Sequence, residues 1–294
     1  MTAVRTAISG RRSRIADFAA LTKPRLNSLV VVTTGVGYLA AQTGTVDPLL
    51  FMNTTIGSAL VAGGAAALNQ VAERELDGQM LRTRDRPLPQ RRLLPTEATW
   101  FAALLIVAGL LQIGTGANLS AAVIALCTVV SYVGVYTPLK QHTHWAVLVG
   151  AVPGALPVVI GWAAVRPLSI AAWSLFALVF VWQLPHFLAL TWLYRKDFEK
   201  AGLPLLAITD PTGRRAARHL LIYTALLMPI SLAPAFLGIA GSTYVIGAGL
   251  LGASLLSAAT WFAKQRSTDR ARVLFKATLL YLPLIWVLLL MDGG

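Results

Sequence analysis

Residues 69–88 read Asn69-Gln-Val-Ala-Glu73-Arg74-Glu-Leu-Asp77-Gly-Gln-Met80-Leu-Arg82-Thr83-Arg84-Asp85-Arg86-Pro87-Leu88, and they follow directly on the apolar run Ile56–Leu68. Asn69, Glu73 and Asp77 are spaced at i, i+4 and i+8. At about 100° per residue, this spacing drifts by only about 80° in total, so the three oxygen-bearing side chains are predicted to share one helix face. The stretch therefore predicts an apolar helix that ends in a charged segment at the edge of an apolar layer.

The chemistry of this stretch suits a metal ion and phosphate together. Mg²⁺ prefers oxygen ligands, usually one or two carboxylates with waters and substrate phosphates. Arg82, Arg84 and Arg86 follow at once, and the planar guanidinium group of arginine matches phosphate oxygens. A solvated loop of mixed charge is the alternative, but such a loop needs no row of oxygens on one helix face. We interpret residues 69–88 as a magnesium-diphosphate site at a membrane edge.

The composition indicates a polytopic membrane protein. Of the 294 residues, 56% are hydrophobic and only 13% are charged, and the mean hydropathy is +0.67, a combination that is rare in soluble domains. The single cysteine, Cys127, lies in an apolar run and excludes both a disulfide framework and a cysteine-based metal cluster.

Nine apolar runs have about the length that a bilayer requires of a helix. A basic arm (residues 1–13) and a short interfacial helix (Ser13–Leu21) come before them, so residues 1–25 are predicted as a cytoplasmic arm and helix and residues 26–294 as one nine-helix transmembrane domain. We see no cleavable signal peptide and expect the first run to be retained. The predicted spans are 26–42, 50–72, 97–115, 118–136, 145–164, 169–193, 218–239, 242–263 and 273–291.

The basic residues are distributed very unevenly across these spans. All of the 25 lysines and arginines except Arg166 fall on the side that holds the N-terminus and every second loop. Cytoplasmic loops carry such an excess, which predicts a cytoplasmic N-terminus, a C-terminus outside the cell and an inner-membrane location. The net charge of +13 is thus explained by topology and acidic lipid headgroups, and nucleic acid is not expected as a partner.

Three further polar groups lie on the same side. Tyr136 and Lys140 stand at the end of span four, where an interfacial belt is the simpler interpretation. Trp182-Gln183-Leu-Pro185-His186-Phe187 lies inside span six, where polar side chains face a cavity or make an interhelical hydrogen bond. Asp197 follows among basic residues and could equally belong to a surface ion-pair cluster. Two acid-bearing loops on one membrane face can enclose a polyanionic ligand between them.

The order of these motifs resembles that of the UbiA-type intramembrane prenyltransferases, and within them the branch that farnesylates haem b. The similarity runs from Thr22-Lys23-Pro24-Arg25 to about Leu206. Its segments are the Asn69–Leu88 stretch, Tyr136-Thr-Pro-Leu-Lys140, Gly154-Ala-Leu-Pro157, Trp182-Gln-Leu-Pro-His-Phe187 and Asp197-x3-Ala201-Gly202-x-Pro204. The resemblance implies an all-α fold of nine transmembrane helices around a central cavity. It also implies Mg²⁺-dependent transfer of a farnesyl group from farnesyl diphosphate to a vinyl group of haem b, with water added and diphosphate released.

The resemblance also assigns residues and partners. It implies catalytic roles for Asn69, Glu73, Asp77, Tyr136, Lys140 and Asp197. It implies substrate binding by Lys23, Arg25, Arg82, Arg86, Trp182, Gln183, His186, Lys196 and Lys200, with haem at His186. Glu73, Asp77 and Asp197 are the implied metal ligands. The implied partners are the lipid bilayer, farnesyl diphosphate, haem b and a downstream haem-modifying enzyme.

Three positions depart from the family pattern. Glu73 stands where many relatives have aspartate, Leu193 replaces the acid expected four residues before Asp197, and Ala146 replaces a common asparagine. A prenyltransferase for a quinone precursor or another aromatic acceptor is the nearest competing hypothesis. A membrane transporter is the alternative from another class, disfavoured because the middle of the predicted spans carries no ionisable pair.

Overall fold

The computed structural model describes residues 13–210 and 212–293, and within them every regular element is a helix. The chain begins with helix α1 (Arg14–Leu21), whose N-cap Ser13 accepts a hydrogen bond from the Ala16 N–H at 3.2 Å. Of its predicted apolar face, Leu21 is buried and Phe18 packs on Phe101, whereas Ile15 is 82% exposed. Most of the predicted basic arm, residues 1–12, lies outside the described residues.

Long helices joined by short connections make up the rest of the described chain. The long helices are α2 (Pro24–Ala41), α3 (Pro48–Ala72), α5 (Pro95–Gly116), α6 (Leu119–Val129), α8 (Ala146–Val165), α9 (Ile170–Leu193), α12 (Arg214–Phe236), α13 (Ser242–Lys264) and α14 (Thr268–Asp292). The short ones are α4 (Arg74–Gln79), α7 (Thr137–Leu139), α10 (Arg195–Lys200) and α11 (Leu206–Thr209). A π-helical segment, Val130–Tyr136, joins α6 to α7.

The predicted all-α membrane fold is confirmed. In the described part of the chain, eight helices are long and apolar enough to cross a bilayer, which makes the chain a multi-pass membrane protein. The remaining predicted span is the first one, which corresponds to α2. This helix has 18 residues and is less apolar because Arg25, Asn27 and Ser28 occupy its first turns, so the count of nine transmembrane helices is approximate. When α6 is taken together with the π-helical segment that continues it to Tyr136, the predicted boundaries agree with the observed ones within five residues, and the largest shift is at the start of α14.

Close approach of helices sets the centre of the bundle. A Cβ atom on Gly161 would lie 1.9 Å from the Thr34 carbonyl oxygen, and one on Gly37 would lie 1.9 Å from that of Val158. The backbones of α2 and α8 therefore touch, which is the kind of contact that small residues permit between helices in lipid. Gly64 and Gly109 bring α3 and α5 together in the same way.

One end of the bundle carries the charged connections. We call it the basic end and define it as the end that holds α1, Arg82, Lys140, Lys200 and Arg266. Many side chains on the flanks of the outer helices, such as Trp100, Leu104 and Leu250, are large, apolar and exposed, as expected of a surface that faces lipid.

Candidate active site

The row Asn69, Glu73 and Asp77 lies where α3 ends at the basic end. The row is not one continuous helix as predicted, because α3 ends at Ala72 and Glu73 adopts a non-helical conformation (φ −104°, ψ 13°) before α4 begins. The hydrogen bonds from Glu73 N–H to the Asn69 carbonyl (3.0 Å) and from Asp77 N–H to the Glu73 carbonyl (2.7 Å) persist across this break. All three side chains are buried, and all three lie at or just beyond the end of α3.

Cations from other elements meet the first two residues of the row. Lys140 Nζ lies 2.6 Å from both carboxylate oxygens of Glu73 and donates a hydrogen bond to Oε2. Lys23 Nζ donates to Asn69 Oδ1 at 3.0 Å, and Asn69 Nδ2 donates to the Thr137 hydroxyl at 3.1 Å. The end of α3 is thus connected to the start of α2 and to the Tyr136–Lys140 motif.

Asp77 is held by the segment that follows it. Arg86 Nη1 donates to Asp77 Oδ2 at 2.7 Å, and the Thr83 hydroxyl donates to the Asp77 carbonyl at 2.7 Å. The Asp77 side chain is almost fully buried, whereas that of Arg86 is partly exposed. Arg86 therefore neutralises a buried charge while keeping its other donors near the surface.

Arg82 lies between the two acid-bearing segments. Its guanidinium group is 4.5 Å from the ring centre of Phe198 and 5.5 Å from that of Tyr194. Burial and the neighbouring Arg86 lower the pKa of Arg82, while Asp197 and Asp77 act to raise it. The two acids, one from α4 and one from α10, are therefore both close enough to act on the charge of Arg82.

Apolar contacts also hold these two segments together. Met80, which follows α4, packs in one buried cluster with Phe198 of α10 and with Leu203 and Leu205. The two acid-bearing loops thus form one charged cluster, comprising Lys23, Asn69, Glu73, Asp77, Arg82, Arg86, Lys140 and Asp197.

Lys23 has an unusual backbone. It has φ 48°, in the left-handed region, and precedes Pro24 at the first position of α2. Burial, together with the neighbouring cation of Arg86, lowers the pKa of Lys23 to about 8 against the opposing effect of Asp77 and Glu73. A strained residue with a shifted pKa is typical of a functional position.

A cavity of about 320 Å³ opens beside the charged cluster and extends between the helices. This volume lies within the range of about 300–1,000 Å³ that is usual for ligand sites. Its wall is largely apolar and comes from α2, α3, α6, α8 and α9. Lys23 lines it at the charged side, and Leu26, which is 66% exposed, lines it at the flank of the bundle.

Two tyrosines of the π-helical segment line this cavity. The rings of Tyr132 and Tyr136 stack with their centres 5.7 Å apart, and Lys140 Nζ lies 5.7 Å from the Tyr136 ring centre. Pro138 explains the wider turn, because its ring would clash with the carbonyl four residues earlier in an α-helix. π-helical turns are common at functional sites.

The Trp182–Phe187 motif divides between two faces of α9. Gln183 and Phe187 line the cavity, and Gln183 Nε2 donates to the Ala151 carbonyl at 3.2 Å. Trp182 Nε1 instead donates to the Thr278 carbonyl at 2.8 Å, and His186 Nδ1 lies 2.9 Å from the Thr278 hydroxyl. Trp182 and His186 thus make the interhelical hydrogen bonds that were the alternative for this segment, and neither residue lines the central cavity.

Three predicted binding residues lie apart from the cavity. Arg25, Lys196 and Lys200 are exposed at the basic end. Nor do Glu73, Asp77 and Asp197 form a preassembled metal site: among residues 13–210 and 212–293, no three Asp, Glu, His or Cys side chains are grouped to hold a metal. Glu73 and Asp77 are instead paired with Lys140 and Arg86, and Asp197 lies near Arg82.

The donor set nevertheless fits a hard divalent cation. Glu73 and Asp77 offer buried carboxylate oxygens; Glu73 Oε1 lies in the ion pair with Lys140 but, among the described residues, accepts no hydrogen bond. Oxygen donors of this kind are those that Mg²⁺ takes beside substrate phosphates.

Sequence reasoning missed several residues that shape the site. Asp17 of α1 is buried and accepts hydrogen bonds from Arg92 Nε at 3.1 Å on both carboxylate oxygens. Arg92 also donates to the Asp85 carbonyl at 3.1 Å, so α1 is attached to the loop of Arg82 and Arg86. Spacing gave no signal, since 75 residues separate the pair. Tyr132, four residues before Tyr136, could have been found from its helical spacing.

Comparison of the sequence with known proteins points to prenyltransferases. Residues 30–285 match the UbiA prenyltransferase family. A protoheme IX farnesyltransferase from Solibacter usitatus (strain Ellin6076) is 43% identical over 286 residues, covering 94% of this chain and 98% of that protein. Another, from Anaeromyxobacter sp. (strain Fw109-5), is 42% identical over 279 residues, covering 94% and 93%.

Solved structures share the fold at low identity. The chain matches a structure described as digeranylgeranylglyceryl phosphate synthase with a TM-score of 0.80 at 17% identity, covering 95% of this chain and 98% of that one. It matches a UbiA homolog from Archaeoglobus fulgidus bound to GPP and Mg²⁺ with a TM-score of 0.66 at 14% identity, covering 93% and 99%. The predicted family resemblance is confirmed: the chain belongs to the UbiA prenyltransferase family and is a prenyltransferase.

Proposed function

We propose that the protein transfers the farnesyl group of farnesyl diphosphate to a vinyl group of haem b, adding water and releasing diphosphate. The observation that carries this proposal is the position of the charged cluster at the side of an apolar cavity. A prenyl diphosphate has the same two parts, a polyanionic head and a hydrocarbon chain. The names of the curated relatives support farnesyl as the donor group and protohaem as the acceptor.

The cations of the cluster would bind the diphosphate. Lys140, Arg86 and Lys23 now pair with Glu73, Asp77 and Asn69. Diphosphate oxygens would attract the same donors, and Arg82 stands between Asp77 and Asp197 as a further donor. Stabilising charge on the departing oxygen makes diphosphate a better leaving group, most effectively in a water-poor site.

Magnesium is proposed as the cofactor, held by Glu73, Asp77 and Asp197. When bound, it would neutralise diphosphate charge as a Lewis acid. The Archaeoglobus fulgidus homolog with the same fold binds GPP and Mg²⁺.

The cavity residues would handle the cationic carbon. As the C1–oxygen bond breaks, positive charge develops on the allylic carbon, and aromatic faces attract cations by about 0.5–2 kcal/mol. Tyr132 and Tyr136 line the cavity next to the cluster, so we assign this role to them and not to Trp182. The terminal vinyl carbon forms the new carbon–carbon bond, and water then adds at the neighbouring carbon and loses a proton.

The acceptor would enter from the membrane. Exposed Leu26 at the edge of the cavity allows a tetrapyrrole to approach between helices. His186 stays a predicted haem residue, but it stacks between Trp182 and Phe275 with ring centres 5.1 and 4.9 Å away. Haem held by His186 would therefore lie on the α14 side of α9. We further propose that the basic end faces the cytoplasm of an inner membrane, that the C-terminus lies outside, and that product passes to a downstream haem-modifying enzyme.

The test is an assay of purified protein with haem b, farnesyl diphosphate and Mg²⁺, followed by extraction and mass analysis of the haem. The expected product carries one added farnesyl group and one added hydroxyl group. Farnesylation of a quinone precursor with no product from haem b would establish the competing acceptor class. An absence of prenyl transfer with both acceptors would contradict the proposed function.

A further inference from the structure

A second cavity lies at the basic end, outside the candidate active site. Its volume is about 630 Å³, and its lining includes Trp192, Arg195, Glu199, Lys264 and Arg266. These residues come from the end of α9, from α10, from the end of α13 and from the connection to α14. None of them belongs to the charged cluster.

The charge of this cavity is unbalanced. Arg195, Lys264 and Arg266 bring three cations to it, and Glu199 is the one acid in its lining. Within residues 13–210 and 212–293, none of the three cations forms an ion pair. Cations that line one cavity repel one another, and a bound anion relieves this repulsion. The cavity therefore suits an oxyanion such as phosphate.

Existing contacts hold two of these cations in place. The Arg195 guanidinium lies 4.8 Å from the ring centre of the buried Trp192, and Arg266 Nη1 donates to the Ala263 carbonyl at 3.0 Å. These contacts use only part of the donor capacity of each guanidinium, which has five N–H groups. The remaining donors are available to a ligand.

An apolar groove adjoins the basic cavity. Its volume is about 470 Å³, and it follows α13 and one residue of α12, with a lining that includes Met228, Ala253, Leu256 and Trp261. Lys264 lines both the groove and the basic cavity. Trp261 is 45% exposed on the flank of the bundle, so the groove is open to lipid.

We propose that the basic cavity and the groove together bind an anionic phospholipid, with its phosphate among Arg195, Lys264 and Arg266 and an acyl chain along α13. Phospholipid is the ligand whose polar head and hydrocarbon chain match both parts at a membrane edge. Basic pockets between transmembrane helices bind such headgroups. By binding Arg195, the lipid would also fix the position of α10. Because Asp197 belongs to the same helix, this would fix the position of Asp197 as well.

The experiment compares lipid binding to the purified full-length protein by native mass spectrometry. The probes are dioleoyl phosphatidylglycerol and dioleoyl phosphatidylcholine. Wild-type protein is expected to retain the anionic lipid preferentially. The double variant Arg195→Gln/Arg266→Gln is expected to lower this preference about thirty-fold, given about 1 kcal/mol for each of the two basic residues near a lipid headgroup.

Two further variants make the result specific. Arg214→Gln/Arg218→Gln removes the same charge from exposed residues of α12 that line neither cavity, and it is expected to bind as wild type does. Arg195→Lys/Arg266→Lys keeps the charge and is expected to keep most of the preference, which separates loss of charge from misfolding.

Three outcomes would overturn the proposal. The first is equal binding of the two lipids by wild-type protein. The second is an equal loss of preference in the Arg214/Arg218 control. The third is displacement of phosphatidylglycerol by haem b but not by its dimethyl ester, which would assign the cavity to tetrapyrrole carboxylates instead. Because binding is measured without turnover, failure of the proposed haem chemistry would leave the result unaffected.

Discussion

The buried carboxylates of Glu73 and Asp77 define the site at the scale of single residues. A buried ionised carboxylate is costly unless it is paired and hydrogen-bonded, and each here has a partner, Lys140 and Arg86. The partners are only partly buried, so they can exchange a carboxylate for a diphosphate oxygen. Acids and cations are thus kept close together, as metal-assisted phosphate chemistry requires.

Asp77→Asn tests this arrangement. The variant keeps the shape of the side chain but removes its charge, so we expect kcat to fall by about 10²-fold or more, the size of effect seen when one group that stabilises transition-state charge is lost. Glu75→Gln is the matched control, because Glu75 is exposed on the same helix and, within the described part of the chain, pairs with Arg74 alone. Turnover by both variants, with size-exclusion profiles to verify folding, is the measurement; a fully active Asp77→Asn protein would rule out the metal role.

Lys23 gives a pH prediction. Its pKa is lowered to about 8, so the protonated form is present below this pH and is lost as the pH rises through it. Because kcat/KM reports the ionisation of free enzyme, kcat/KM for farnesyl diphosphate is expected to fall above about pH 8. Lys23→Arg keeps its charge there and should lose this alkaline decline. An unchanged alkaline limb in the variant would exclude Lys23 as its origin.

At the scale of elements, α1 is attached to the loop that carries Arg82 and Arg86. Asp17 and Arg92 form the ionic part of this attachment, and Leu21 packs against Leu88 and Leu93. Gln70 Nε2 also donates to the Leu21 carbonyl at 2.6 Å. The loop is therefore positioned by a helix that precedes the first membrane span.

Loss of this ion pair should weaken the attachment. Asp17→Asn leaves Arg92 without its charged partner, and we expect a loss of about 1–3 kcal/mol, the range for a buried polar group whose partner is removed. The measurement is a double-mutant cycle of Asp17→Asn and Arg92→Gln by denaturant unfolding in detergent, with KM for farnesyl diphosphate alongside. Strictly additive effects would show that the two side chains do not interact.

The contact between α2 and α8 gives another element-scale prediction. Gly161→Ala places a Cβ atom 1.9 Å from the Thr34 carbonyl oxygen, so the helices must move apart at a cost of about 1–3 kcal/mol. Gly249→Ala is the control, since no atom lies within 4 Å of its added Cβ, and helix propensity favours alanine there by about 1 kcal/mol. The unfolding midpoints should move in opposite directions; equal midpoints would contradict the close approach.

At the scale of the whole molecule, the cavity needs five long helices to enclose it. Its apolar wall and its charged side together select the form of the substrate, a hydrocarbon chain with a polyanionic head. The lining includes small residues such as Ala62, Ala65 and Gly150, so a larger side chain at one of these positions would shorten the available length.

Ala65→Phe tests the cavity as the farnesyl site. The added ring should obstruct a fifteen-carbon chain but not a five-carbon one, so kcat/KM for farnesyl diphosphate is expected to fall about ten-fold or more relative to dimethylallyl diphosphate. Ala108→Phe is the matched control, because Ala108 is exposed on α5. A uniform loss with both donors would indicate damage to the fold and not to chain-length selection.

Hydrophobic run lengths, the positions of basic residues and the spacing of Asn69, Glu73 and Asp77 were readable from the sequence by itself. They determined the approximate number and bounds of the long helices and the grouping of Asn69, Glu73 and Asp77, because a bilayer fixes helix length and helical periodicity fixes local neighbours. Only the tertiary structure decided which cation meets which acid, that Trp182 and His186 face α14, and that Asp17 meets Arg92. Those contacts join residues many positions apart, and they depend on how each helix is rotated against its neighbours, which the period of a single helix does not determine.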